Sequence, residues 1–156
     1  YNYSMEKMKK RELMPARVKR AKKKLEEISH TKIRQRDSIN DYEIRGYCFD
    51  CGKLAEGSQF QAGHWQPSGS CGAWLRYHPH NMHGQAGGCN CGYQQEKVKI
   101  DYTLAMINKY GQSYVEFLRR GRNKTIKADI IFYETMIEMY EHEDWEQAVV
   151  TYLNTL

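Results

Sequence analysis

The residues whose chemistry stands out lie between Cys48 and Asn90, where Cys48-Phe49-Asp50-Cys51 is followed by Gly63-His64, by Asn81 and by the dipeptide Cys89-Asn90. Two kinds of ligand are interleaved in that stretch. Thiolates suit a structural zinc ion, whereas an imidazole and carboxamide oxygens suit a hard divalent cation and an activated water. The order reads as a zinc knuckle wrapped around a nuclease site.

In Cys48-x-x-Cys51-Gly52 a tight turn lets two thiolates chelate one ion, and the glycine relieves the backbone where amides point at sulfur. A redox pair is the other use of this spacing, but no thioredoxin-like strand and helix surround it. Cys89 and Cys91 offer a second half whose unusual spacing leaves the fourth ligand open. A strand, a loop, a second strand and a helix fold back at about this length and can gather His64, Asn81 and Asn90 around one cation. His64 would take a proton from water, and an amide oxygen would help hold Mg²⁺ or Mn²⁺ beside a phosphate. A single histidine or asparagine is more often structural, so the weight rests on the set.

The elements that must position these residues fall into three segments. Residues 1–45 are polar and helix-favouring, with Pro15 expected to start or interrupt a helix through Ala16 to Ile28. Residues 46–111 form a core rich in Gly, Cys and His, with strand-like pieces at Gln59 to Trp65 and Trp74 to Tyr77. This segment has few aliphatics, so a metal is expected to hold it. Its last helix, marked by Val98, Tyr102, Ala105 and Met106, should stop at Gly111. Residues 112–156 should add helices over Tyr114 to Arg120, capped by Ser113, and over Lys127 to Tyr140.

Charge points to a polyanionic partner. The net charge is only +5, but ten Lys or Arg residues stand between Lys7 and Lys24 against the single acid Glu12. Such a block repels itself and seeks phosphate backbones; the plain alternative is a solvated helix face. Arg17, Lys19, Arg20, Lys22, Lys23 and Lys24 are the candidate DNA contacts in this block, and Arg76 is another beside the site. Trp65, Trp74 and Tyr77 could stack on exposed bases, although Trp74 is assigned to the core. An odd set of five clustered cysteines argues for a reducing compartment rather than a disulfide framework. No hydrophobic leader or membrane-length apolar run is read.

The runs C-F-D-C-G from Cys48, Q-A-G-H-W from Gln61, L-R-Y-H-P-H-N-M-H-G-Q from Leu75, C-N at Cys89-Asn90 and K-Y-G ending at Gly111 resemble the phage NinG (Rap) recombination-nuclease family. That family is a branch of the HNH or ββα-metal endonucleases on a treble-clef zinc scaffold. The resemblance implies an α+β fold, a small treble-clef core flanked by helices, and a cytoplasmic phage or prophage protein in a bacterial host. It implies an HNH-type endodeoxyribonuclease that cleaves branched recombination intermediates such as Holliday junctions and D-loops. Structural Zn²⁺ and catalytic Mg²⁺ or Mn²⁺ come with it. His64 matches the general base, Asn81 the asparagine that orients loop and base, Asn90 the final metal position, and Cys48, Cys51 and Cys89 three zinc ligands.

Two positions depart from the pattern. Ala86 stands where a zinc cysteine is usual, so zinc must recruit Cys91 or, failing that, Cys71 or a histidine. Gly63 stands where many HNH enzymes carry an acid, so the cation's shell must be completed by His83, which ranks first, by Asp50, or by waters and phosphate. These gaps keep a second reading open, a non-catalytic zinc module that binds nucleic acid; a third is a protein-interaction adaptor built on the acidic carboxy-terminal helices. DNA is the expected partner, no membrane is, and a homodimer through the helices after Tyr114 would present two sites to a junction.

Overall fold

A computed structural model describes residues 2–156, with side chains from Met14 onward. The basic residues Lys7, Lys9, Lys10 and Arg11 therefore lie outside the described side chains. The chain is α+β and rich in helix. Helix α1 spans Asn2–Arg36 and holds Pro15 inside it, so the proline does not end the helix, which also continues past Ile28. Two hairpins follow: β1 (Arg45–Tyr47) with β2 (Leu54–Glu56), and β3 (Phe60–His64) with β4 (Met82–Ala86), both antiparallel.

Between β3 and β4 lies a short helix, α2 (Ala73–Arg76), where a strand was expected. Its consecutive residues Trp74 and Leu75 are both buried, which an alternating strand cannot arrange, and Arg76 N–H closes a turn on the Gly72 carbonyl at 3.0 Å. After β4 comes α3 (Gly87–Cys91), then α4 (Glu96–Tyr110), α5 (Gln112–Arg120), α6 (Ile130–Glu141) and α7 (Trp145–Asn154). Helix α4 stops where expected, with Gly111 in the left-handed region at φ +85°. Ser113 sits inside α5 rather than capping it. Asp129, not Lys127, opens α6, its carboxylate accepting from the Ile131 and Phe132 amides at 3.1 Å each.

The core joins all three segments of the sequence. Leu25 of α1, Trp74 and Leu75 of α2, Met106 of α4, Leu118 of α5, Met136 and Tyr140 of α6 and Leu153 of α7 are buried in one cluster. Trp74 donates its indole N–H to the Leu153 carbonyl at 2.7 Å, so it is core, as assigned. The region between Tyr47 and Gly92 thus leans on a helical core as well as on any metal.

Arg36, at the end of α1, clamps the β3–β4 hairpin to the helices. Its guanidinium donates to Asp37 at 2.6 and 2.9 Å, to Glu146 of α7 at 2.8 Å and to the Met82 carbonyl at 2.9 Å. Asp37 in turn accepts the Gly84 amide at 2.7 Å. Removing one partner of such a largely buried network strands the others without solvent. Arg36→Met should lower stability by about 3–5 kcal/mol, read as a shift of the urea midpoint; a change under about 1 kcal/mol would contradict the clamp.

Candidate functional site

The three thiols of Cys48, Cys51 and Cys89 lie within 4.8 Å of one another and could hold a metal such as zinc. The β1–β2 turn presents the first two, with Gly52 at φ +71° as the knuckle requires. Helix α3 presents the third, its sulfur 3.5 Å from that of Cys51. Cys91, expected as the fourth thiolate, is exposed and does not join the cluster. Two residues along a helix turn a side chain about 200° around the axis, so Cys89 and Cys91 cannot face the same ion. Ala86, at the position where a fourth sulfur is usual, leaves its backbone beside Cys48, where it lowers that thiol's pKa against the larger effect of burial.

Burial pushes the Cys48 thiol well up, and the Asp50 carboxylate 2.8 Å from its sulfur adds to this. Burial also raises Cys89, to about 11, with its contact to Cys51 next in weight. At Cys51 burial is outweighed by the Lys53 amide and the two neighbouring thiols, and its pKa falls. Cys51 is therefore the first thiolate offered to an incoming ion, which would deprotonate the other two on binding.

His64 closes β3. Its Nε2 lies 3.0 Å from the Arg76 carbonyl, an atom that can only accept, so Nε2 carries the ring proton and the Nδ1 lone pair is left free. Burial, and after it the charge of His30, lower its pKa to about 4, so the ring is neutral at physiological pH. His30 of α1 meets the His64 ring edge-on, centroids 5.7 Å apart.

His64 and Asn90 line one cleft of about 470 Å³ together with Pro67, Ser68, Gly69, Ser70 and Tyr93. Asn90, on α3, has its amide orientation fixed from outside. The Gln61 amide donates to the Ser58 carbonyl at 3.1 Å, so Gln61 Oε1 accepts from Asn90 Nδ2 at 2.8 Å and Asn90 Oδ1 points the other way. That oxygen lies 3.0 Å from where a Cβ on Gly63 would sit.

Other expected residues are placed in supporting roles. Asn81 is buried, accepting from the Gln66 amide at 2.9 Å and donating to the Gln66 carbonyl at 3.2 Å. Both ends of its carboxamide are committed, so it holds the loop after His64 and does not join a cation's shell. His83 is not a cation ligand either: it is buried, stacked on Phe49 at 3.8 Å, with both ring nitrogens on tyrosines. Tyr102 donates to the Gly63 carbonyl at 2.9 Å, so its oxygen accepts from His83 Nδ1–H at 3.1 Å, and His83 Nε2 accepts from Tyr110 at 2.8 Å. This chain fixes the backbone just before His64. Asp50 belongs to the knuckle, where it meets Cys48 and the Gln85 amide.

Arg76, expected at phosphate, pairs with Glu26 instead, while its carbonyl orients His64. Trp65 is mostly buried and donates to Thr103 at 2.9 Å. Arg17 and Lys24 face α6, in half-exposed pairs with Glu134 at 2.6 Å and Glu141 at 2.8 Å. Lys23 is only loosely paired with Glu27 at 3.7 Å, Lys19 and Arg20 are exposed, and Lys22 is half-buried. The cations beside the site are Lys99 and Arg122, which line a cavity of about 320 Å³ with His64 and Gln85. The run Arg119-Arg120-Gly121-Arg122-Asn123-Lys124 is a sequence signal for Arg122; Lys99 carries none of its own.

Two outcomes test this geometry. Elemental analysis should find about one zinc per chain, lost in Cys51→Ser and kept in Cys91→Ser; loss in Cys91→Ser would contradict the three-thiol cluster. His64 and His78 have folded pKa values lowered by burial to about 4 and about 3 from an ordinary 6.5. The unfolded chain therefore binds protons first, and this stability is full above pH 6.5 and lost as pH falls toward 3. Glu146 adds loss in a lower window, since its contact with His80, then Arg36, holds it at about 2 against 4.5. The urea midpoint should fall between about pH 7.5 and about pH 5, and fall less in His78→Phe; equal slopes would contradict this.

Among the described residues no helix is long and apolar enough to cross a membrane. No curated protein and no solved structure matches the chain. The family model described as bacteriophage Lambda NinG protein matches residues 2–146, nearly the whole sequence, and the chain belongs to that phage NinG family.

Proposed function

We propose that this chain is a recombination-related, metal-dependent and structure-selective DNA endonuclease, an HNH-type phosphodiester hydrolase on a treble-clef zinc scaffold. The observation that carries the reading is the neutral His64, its Nε2 proton given to the Arg76 carbonyl and its Nδ1 lone pair free, sharing a cleft with Asn90. An imidazole held this way accepts a proton without reorienting. The β3–β4 hairpin followed by α3 matches the strand, strand and helix of such a site, and the three thiols tie that helix to the knuckle.

In this reading His64 Nδ1 takes the proton of a water as its oxygen attacks phosphorus, and the P–O3′ bond breaks on the opposite side. Asn90 Oδ1 is the residue placed to hold Mg²⁺ or Mn²⁺, which when bound would offset charge on the phosphate and the leaving oxygen. Asn81 keeps the loop after His64 in place, and Arg76 fixes the ring through its carbonyl. Lys99 and Arg122, which line the neighbouring cavity with His64, are the cations offered to the backbone, with the exposed face of α1 extending the surface. Branched DNA such as Holliday junctions or D-loops is the proposed substrate, and a homodimer would bring two such sites to a junction.

One feature favours the second reading, a zinc-containing module that binds without cutting: none of the residues lining the His64–Asn90 cleft is a carboxylate. Cleavage of a synthetic four-way junction in Mg²⁺ and Mn²⁺ separates the two. His64→Ala should keep its zinc and its junction affinity while losing about 10²–10⁴ in cleavage rate. An undiminished rate would refute the role of His64, and binding with no cutting by the unaltered chain would leave the module.

A further inference from the structure

The space an acid before His64 would fill is taken by another side chain. Gly63 has no side chain, and a Cβ there would lie 1.6 Å from Gln85 Oε1 and 3.0 Å from Asn90 Oδ1. Both amides are orientated by outside partners. Gln85 Nε2 donates to the Asp50 carboxylate at 3.1 Å, which only accepts, so Gln85 Oε1 faces Gly63; Asn90 Oδ1 faces it because Nδ2 is given to Gln61. Among the described residues no hydrogen-bond donor reaches either oxygen. Gln85 is almost fully buried, yet it lines the same cavity as His64.

Two acceptor oxygens near Gly63, with no donor to either among the described residues, are free to take a cation. Building on the endonuclease reading above, we propose that Gln85 Oε1 is the second protein ligand of the divalent cation, acting with Asn90 Oδ1 in place of the missing acid. Oxygen suits Mg²⁺ and Mn²⁺, and both oxygens lie within 3.0 Å of the position a Gly63 Cβ would take. Both ligands are neutral. The free protein therefore holds the ion weakly, and the DNA phosphate brings the negative charge that completes the site, so cation and DNA each raise the affinity for the other.

Positions 63 and 85 share this space: an aspartate at 63 meets the Gln85 amide, which must swing aside or be cut back to admit it. The test titrates Mn²⁺ into zinc-loaded protein, with and without an uncleavable junction, and follows free Mn²⁺ by electron paramagnetic resonance; thiolates are poor ligands for this ion and stay out of the count. The unaltered chain should bind one Mn²⁺ weakly and bind it more tightly with DNA. Gln85→Leu should abolish this binding while retaining zinc, and Gln85→Glu should tighten it about tenfold in the free protein through the added charge. Gly63→Asp with Gln85→Ala should fold and bind Mn²⁺ more tightly than the unaltered chain.

Unchanged Mn²⁺ affinity in Gln85→Glu overturns the proposal whether or not Gln85→Leu folds. If the unaltered chain cuts junctions but its Mn²⁺ affinity ignores residue 85, the ligand assignment falls and the nuclease reading stands. If Mn²⁺ binds through Gln85 and His64→Ala binds it equally, but no DNA is cut, the ligand assignment stands and the nuclease reading falls.

Discussion

The account depends on one hydrogen bond, from His64 Nε2 to the Arg76 carbonyl at 3.0 Å. A carbonyl cannot donate, so this contact decides which nitrogen holds the proton, and burial keeps the ring from gaining a second one. The rest of the site keeps that contact in register. Helix α2 carries the carbonyl, and the Arg76 pair with Glu26 ties it to α1. Asn81 and the Tyr110–His83–Tyr102 relay hold the backbone on either side of the ring.

The two candidate ion sites are coupled through short connections. Helix α3 carries Cys89 toward the knuckle and Asn90 toward the cleft on successive residues. Asp50, inside the knuckle, contacts Cys48 with the same oxygen that orients Gln85. An ion among the three thiols would thus fix Cys89, and with it the short helix that carries Asn90. Two cations of α1 pair with α6 across half-exposed surface, while the other exposed cations of α1 and those lining the cavity beside His64 face solvent without partners on α6 among the described residues.

Much of the candidate site was legible because spacing carries it. Cys48-x-x-Cys51 and the strand ending in His64 follow from turn chemistry and strand pattern, Cys89 and Asn90 from the family resemblance, and the structure brings Cys48, Cys51 and Cys89 together and His64 and Asn90 into one cleft. Partner choice was not legible. His83 and Asn81 look like ligands in a string of letters, yet their polar atoms are consumed by Tyr102, Tyr110 and Gln66 from distant positions. Gln85 was passed over because a glutamine has no ligand signature until its neighbours fix its orientation. Trp74 to Tyr77 read as a strand because aromatic content favours one, and the two adjacent buried side chains won instead. Helix α7 follows an acidic stretch that carries no apolar signal of its own, and Val149 and Leu153 bury its apolar face.

The tautomer of His64 tests the central claim most directly. Long-range ¹H–¹⁵N correlation of the histidine rings in zinc-loaded protein near neutral pH reports which nitrogen bears the proton. The account predicts a neutral His64 ring protonated at Nε2, with Nδ1 showing the shift of a free lone pair. A ring protonated at Nδ1, or charged at that pH, would leave no base in the cleft and would contradict it.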